Sequence, residues 1–142
     1  MLTLLVARSS DDAPGPVAER ASGLRGDTLP VELRRGQAPR IRLRSAHGGI
    51  VDTRELRGRP YAVTFLYARC PDVCPLIGQE IRQSLELLGR RARQAVVLGV
   101  SADPAGDTAE AARSWLRRQR LPRNFRYLIG LRRELAPVWE GY

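Results

Sequence analysis

The residues most able to do chemistry are Cys70 and Cys74, the only two cysteines among 142 residues, in the run Cys70-Pro71-Asp72-Val73-Cys74-Pro75. On a helix the i, i+4 spacing puts both side chains on one face, close enough to share a metal ion or to close a disulfide. Two soft thiolates select thiophilic ions, Cu(I) above all. The bland alternative is a pair of inert core thiols, since free cysteine is among the most buried residue types. Placement near a helix start favours a thiolate through unpaired N–H groups and the helix dipole. Arg69 adds a positive charge, while Asp72 works in the opposite direction. Pro71 and Pro75 suit a first helical turn and stiffen the loop. The single histidine, His47, lies upstream in a His-Gly-Gly turn. No Ser-His-Asp set can be built around it, and no phosphate-cradling glycine loop occurs.

The elements that must position the cysteines follow from apolar patterning. Tyr61–Tyr67 is a continuous apolar run, expected to be a strand buried on both faces. After the cysteines, Ile77, Ile81, Leu85 and Leu88 recur at helical spacing, with Gly89 as the stop. Ala95–Val100 reads as a second buried strand. Asp107-Thr108-Ala109-Glu110 reads as a helix start with Asp107 as its cap, and that helix carries Trp115 and Leu116 and ends before Pro122. A strand at Phe125–Ile129 and a helix from Arg132 to Trp139 complete the series. Upstream, Leu29–Leu33 and Ile41–Leu43 read as short strands, Ile50–Val51 as an extended segment and Glu55–Gly58 as a helical turn. Alternating strands and helices predict an α/β domain with a mainly parallel sheet and crossover helices. In such sheets reactive groups gather beyond the carboxyl ends of strands, where the cysteines fall. Residues 1–27, rich in Ser, Asp, Ala, Gly and Pro, read as a flexible leader, the remnant of an export signal or membrane tether, with the domain occupying 28–142.

The net charge is +9, from 24 basic and 15 acidic residues, and every basic residue is arginine. The arginines are scattered from Arg8 to Arg133 and aromatics make up only 6% of the chain, which is not the interleaved stripe of a nucleic-acid binder. The charge suits anionic headgroups or an acidic partner instead.

Tyr67-Ala68-Arg69-Cys70-Pro71-Asp72-Val73-Cys74-Pro75 resembles the signature of the SCO/SenC family of copper-delivery proteins. Ser101-Ala102-Asp103-Pro104-Ala105-Gly106-Asp107-Thr108 resembles that family's second motif, and the similarity runs from about Ala38 to Tyr142. The resemblance implies a thioredoxin-like fold on the extracytoplasmic face of a bacterial cytoplasmic membrane. It implies copper bound by Cys70, Cys74 and a histidine, with the same cysteines as a redox pair. The implied partner is the cytochrome c oxidase subunit that carries the dinuclear copper centre. The implied roles are metallochaperone or, alternatively, thiol-disulfide oxidoreductase without metal. Asp103 and Asp107 match the second motif and are assigned structural work. Ala68 stands where the family commonly has threonine. The family's copper histidine lies downstream of the second motif, so the expectation is a domain whose third copper ligand, last strands and last helix lie outside this chain.

Overall fold

The computed structural model describes residues 38–142; the expected leader and the strand at Leu29–Leu33 lie outside them. Five strands form one sheet: β1 (Arg42–Ser45), β2 (Ile50–Asp52), β3 (Tyr61–Leu66), β4 (Val96–Ser101) and β5 (Phe125–Ile129), in the order β2-β1-β5-β4-β3. Three helices accompany them: α1 (Val73–Leu88), α2 (Ala109–Arg118) and α3 (Arg132–Gly141). β3, β4 and β5 run parallel, while β1 is antiparallel to both β2 and β5. The sheet is therefore mixed, a parallel trio with an antiparallel hairpin on one flank.

The hairpin forms because Gly48 and Gly49 both take positive φ, +94° and +75°, a left-handed path that a side chain would oppose. Arg42 and Arg44 point outward while Leu43 and Ser45 point inward, the alternation of a half-buried strand. β4 lies between β5 and β3 and is buried at all six positions. Successive β4 residues serve opposite faces. Val97 joins α1 and α2 through Leu85, Ala112, Trp115 and Leu116. Val96, Leu98 and Val100 join α3 through Leu135 and Val138. The sheet is thus sandwiched, with two helices on one face and one on the other.

Three expectations need correction. β3 is not buried on both faces: it pairs with β4 alone among the described residues, Ala62 is exposed and only Leu66 is fully buried. An edge strand and a central strand can share one apolar pattern, because pattern reports side-chain type and not strand order. In α1 the buried stripe is Cys74, Gly78 and Leu85 with Ile81 packed beside them, while Leu88 at the helix end is exposed. Finally, Asp107 does not cap α2; Thr108 does, its hydroxyl accepting from the Ala111 N–H at 3.1 Å.

Candidate metal and redox site

β3 ends at Leu66, and the chain turns through Tyr67–Cys70, closed by the Cys70 N–H donating to the Tyr67 carbonyl at 3.2 Å. The turn delivers the chain to α1, whose first turn contains Cys74. Asp72, the residue at the cap position, caps nothing with its side chain. The Cys70 sulfur takes over that duty, accepting from the Cys74 N–H at 3.4 Å. The two cysteines thus meet at the helix N-terminus, beyond the carboxyl end of a parallel strand.

The two sulfurs differ in character. The Cys74 thiol, facing Cys70, leads in pulling the Cys70 thiol down to about 7, and the backbone N–H groups of Asp72 and Cys74 and the Tyr67 hydroxyl act in the same sense. Asp72 therefore favours the Cys70 thiolate through its amide, against the opposing effect expected of its charge. Burial pushes the Cys74 thiol up. Cys70 retains 7% of its surface and Cys74 3%, so Cys70 is the sulfur that solvent reaches first. Tyr67, more than a third exposed, stands at the rim, and its own phenol is raised chiefly by its contact with Cys70.

The loop is pinned from the far side of the chain. Asp107, buried at 5% exposure, accepts from the Ala68 N–H at 2.7 Å, the Ser101 hydroxyl at 2.6 Å and the Tyr127 hydroxyl at 2.9 Å. One carboxylate thereby ties the cysteine loop to the end of β4 and the middle of β5. Arg118 of α2 donates to the Ala68 carbonyl at 3.3 Å. Both polar atoms of one peptide residue are held by charged side chains 39 and 50 positions further along. Asp103 closes its own turn by accepting from the N–H groups of Ala105 and Gly106.

His47 is not brought to the sulfurs. It is exposed in the β1–β2 turn and lines a separate cavity together with arginines. Among the described residues no three His, Cys, Asp or Glu side chains form a group placed to hold a metal ion. A cavity of about 830 Å³ also lies away from both cysteines. Tyr67 and Arg118 escaped sequence reasoning: Tyr67 looks like the apolar end of a strand, and Arg118 is one of many arginines. Only the position of Tyr67 directly before the cysteine turn hints at its role.

A family profile described as SCO1/SenC matches residues 37–142. SenC of Rhodobacter capsulatus is 35% identical over 64 residues, covering 45% of this chain and 29% of that protein. The chain spans between 29% and 39% of the length of the curated relatives it matches. The structure of Bradyrhizobium japonicum ScoI with copper bound superposes with a TM-score of 0.69 at 29% identity, covering 75% of this chain and 67% of that one. BsSco, a member of the Sco family of cytochrome c oxidase assembly proteins in which a disulfide switch was identified, shares the fold at 18% identity and a TM-score of 0.59, over 66% of this chain and 55% of its own. The fold is thioredoxin-like. By its matched profile, its paired motifs and its fold, the chain belongs to the SCO1/SenC family.

Proposed function

We propose that Cys70 and Cys74 together hold Cu(I) as cargo, and that the protein passes it to the cytochrome c oxidase subunit bearing the dinuclear copper centre. The observation that carries this reading is a pair of buried thiols brought together at a helix N-terminus, where the Cys70 sulfur accepts from the Cys74 N–H and Cys70 is the more acidic of the two. Family membership and the copper-bound relative support copper as the ion. Soft thiolates suit Cu(I), and Cu(I) tolerates a low coordination number, so two sulfurs make a sufficient minimal site. A third ligand outside the described residues would complete it. The work proceeds at the extracytoplasmic face of the cytoplasmic membrane, where a tether would hold the protein near its recipient. No helix among the described residues is long and apolar enough to cross a membrane.

The chain's own residues set the proton balance. Near neutral pH Cys70 is about half ionised, whereas burial keeps Cys74 protonated. Binding Cu(I) as a dithiolate therefore releases between one and two protons at pH 7. Competitive Cu(I) titration of the parent, Cys70→Ala and Cys74→Ala tests the assignment. Each variant should lose at least about two orders of magnitude in affinity, more than losing an outer-shell partner does. Parent-like binding by both variants would remove the site from consideration.

A second reading uses the same pair without metal. The thiolate of Cys70 attacks a disulfide in the partner, and Cys74 then attacks the mixed disulfide. The partner gains two electrons and two protons as Cys70–Cys74 closes. The acidic Cys70 favours it, as does the disulfide switch identified in BsSco. A pair that stays reduced under mild oxidant would rule this reading out.

A further inference from the structure

A second concave site lies apart from the sulfurs, and nothing in the proposed copper or thiol chemistry uses it. Its cavity, about 450 Å³, is bordered by His47, Arg113, Arg117, Arg120, Arg123 and Arg126, and among the described residues by no carboxylate. Five arginines from α2, the segment after it and β5 thus border one hollow together with His47 of the β1–β2 turn. Arg113 is fixed across the gap, donating to the Ala46 carbonyl at 2.8 Å, one residue before His47. None of Arg117, Arg120, Arg123 and Arg126 pairs with an acidic side chain among the described residues. The neighbouring 830 Å³ cavity shares Arg120, Arg123 and Arg126 but is charge-balanced in part by Asp52, Glu55 and Glu86. Scattered arginines explain a basic surface; they do not explain five around one hollow that no acid among the described residues lines.

Arg120 supplies an independent sign. It follows the end of α2 with φ +52°, the one non-glycine residue at positive φ among those described. Its N–H donates to Arg117 and the Leu121 N–H donates to Leu116, the paired bonds of a helix ending in which glycine is the usual occupant. An arginine there sets backbone comfort aside, at a position that lines both cavities.

We propose that this hollow binds phosphate groups, whether in a free phosphate compound or in an anionic lipid headgroup. Planar guanidiniums pair bidentately with phosphate oxygens, and several around one volume suit a multiply charged anion. Among the described residues the hollow's only Phe, Tyr or Trp is Phe125, which is buried, so apart from the single His47 ring there is no exposed platform for stacking bases, and the chemistry favours phosphate over nucleic acid.

The test titrates the full chain with pyrophosphate by calorimetry at fixed ionic strength. It also measures co-sedimentation with vesicles of phosphatidylglycerol or phosphatidylcholine. Arg120→Gly combined with Arg123→Ser should weaken pyrophosphate or phosphatidylglycerol binding about tenfold, the expected consequence of losing two charge-assisted contacts. The melting temperature should hold or rise, since glycine accepts the left-handed backbone. Arg90→Ser with Arg91→Ser removes the same charge from exposed positions away from this cavity and should leave binding within about twofold. Should the first pair misfold, Arg117→Ser with Arg126→Ser replaces it. A vesicle preference identifies a headgroup, and pyrophosphate binding without one identifies a soluble phosphate. The proposal is overturned by absence of binding to either probe, by equal losses in the cavity and control variants, or by tighter binding to a single-stranded oligonucleotide than to both probes.

Discussion

At the level of single residues, the chemistry rests on an asymmetry between two sulfurs that are four positions apart. In the reduced, metal-free protein, Cys70 should react with a small alkylating reagent along a titration centred at about pH 7, while Cys74 stays protected until well above it. The sign follows from thiolate being the nucleophile: lowering a thiol pKa brings reactivity to lower pH. In Cys74→Ala the hydrogen-bonding thiol is gone, so the Cys70 profile should move toward higher pH, as mass spectrometry of the alkylated protein across pH would report. Asp107 offers a second check. Removing its carboxylate strands the Ala68 amide and the Ser101 and Tyr127 hydroxyls, so Asp107→Ala should destabilise the domain by about 2–4 kcal/mol in urea unfolding. Asp107→Asn, which keeps one acceptor oxygen, should lose less. The cysteine pair was legible from residue type and spacing, whereas the duty of Asp107 was not. An acid followed by threonine ahead of a helix has the spacing of a cap, and only the fold reveals that Thr108 caps while Asp107 turns inward. The same blindness hid Tyr67, since spacing along the chain carries no information about which hydroxyl influences a thiol's acidity.

Among the elements, β4 bears the tightest packing. A methyl group added at Gly99 would lie 2.6 Å from Phe125 Cζ and 2.8 Å from its Cε1, inside a ring that is itself buried. Gly99→Ala should therefore lower stability by about 1–3 kcal/mol, the range for overpacking a filled core, with a matching fall in melting temperature. Strand and helix identities from β3 onward were readable because apolar runs and helical spacing are local signals. Strand order was not, and the edge position of β3 shows why. Tyr61–Leu66 and Val96–Ser101 both read as apolar runs, yet among the described residues the second has a partner on both sides and the first on one side only. Position in a sheet is decided by pairing between segments distant in sequence.

For the molecule as a whole, stability should be graded across the sheet. Native-state amide exchange should be slowest in β4 and β5 and fastest at β2 and on the outward edge of β3, the order that their pairing dictates. Uniform protection across all five strands would contradict the topology described. The way Ala68 is fastened also sets a schedule for synthesis. Its two anchors, Asp107 and Arg118, are made 39 and 50 residues after it. At ordinary translation speeds that interval lasts roughly 2–10 s. Throughout that interval the residues that immobilise the thiol loop do not yet exist, so the loop can take its final shape only after synthesis has passed Arg118.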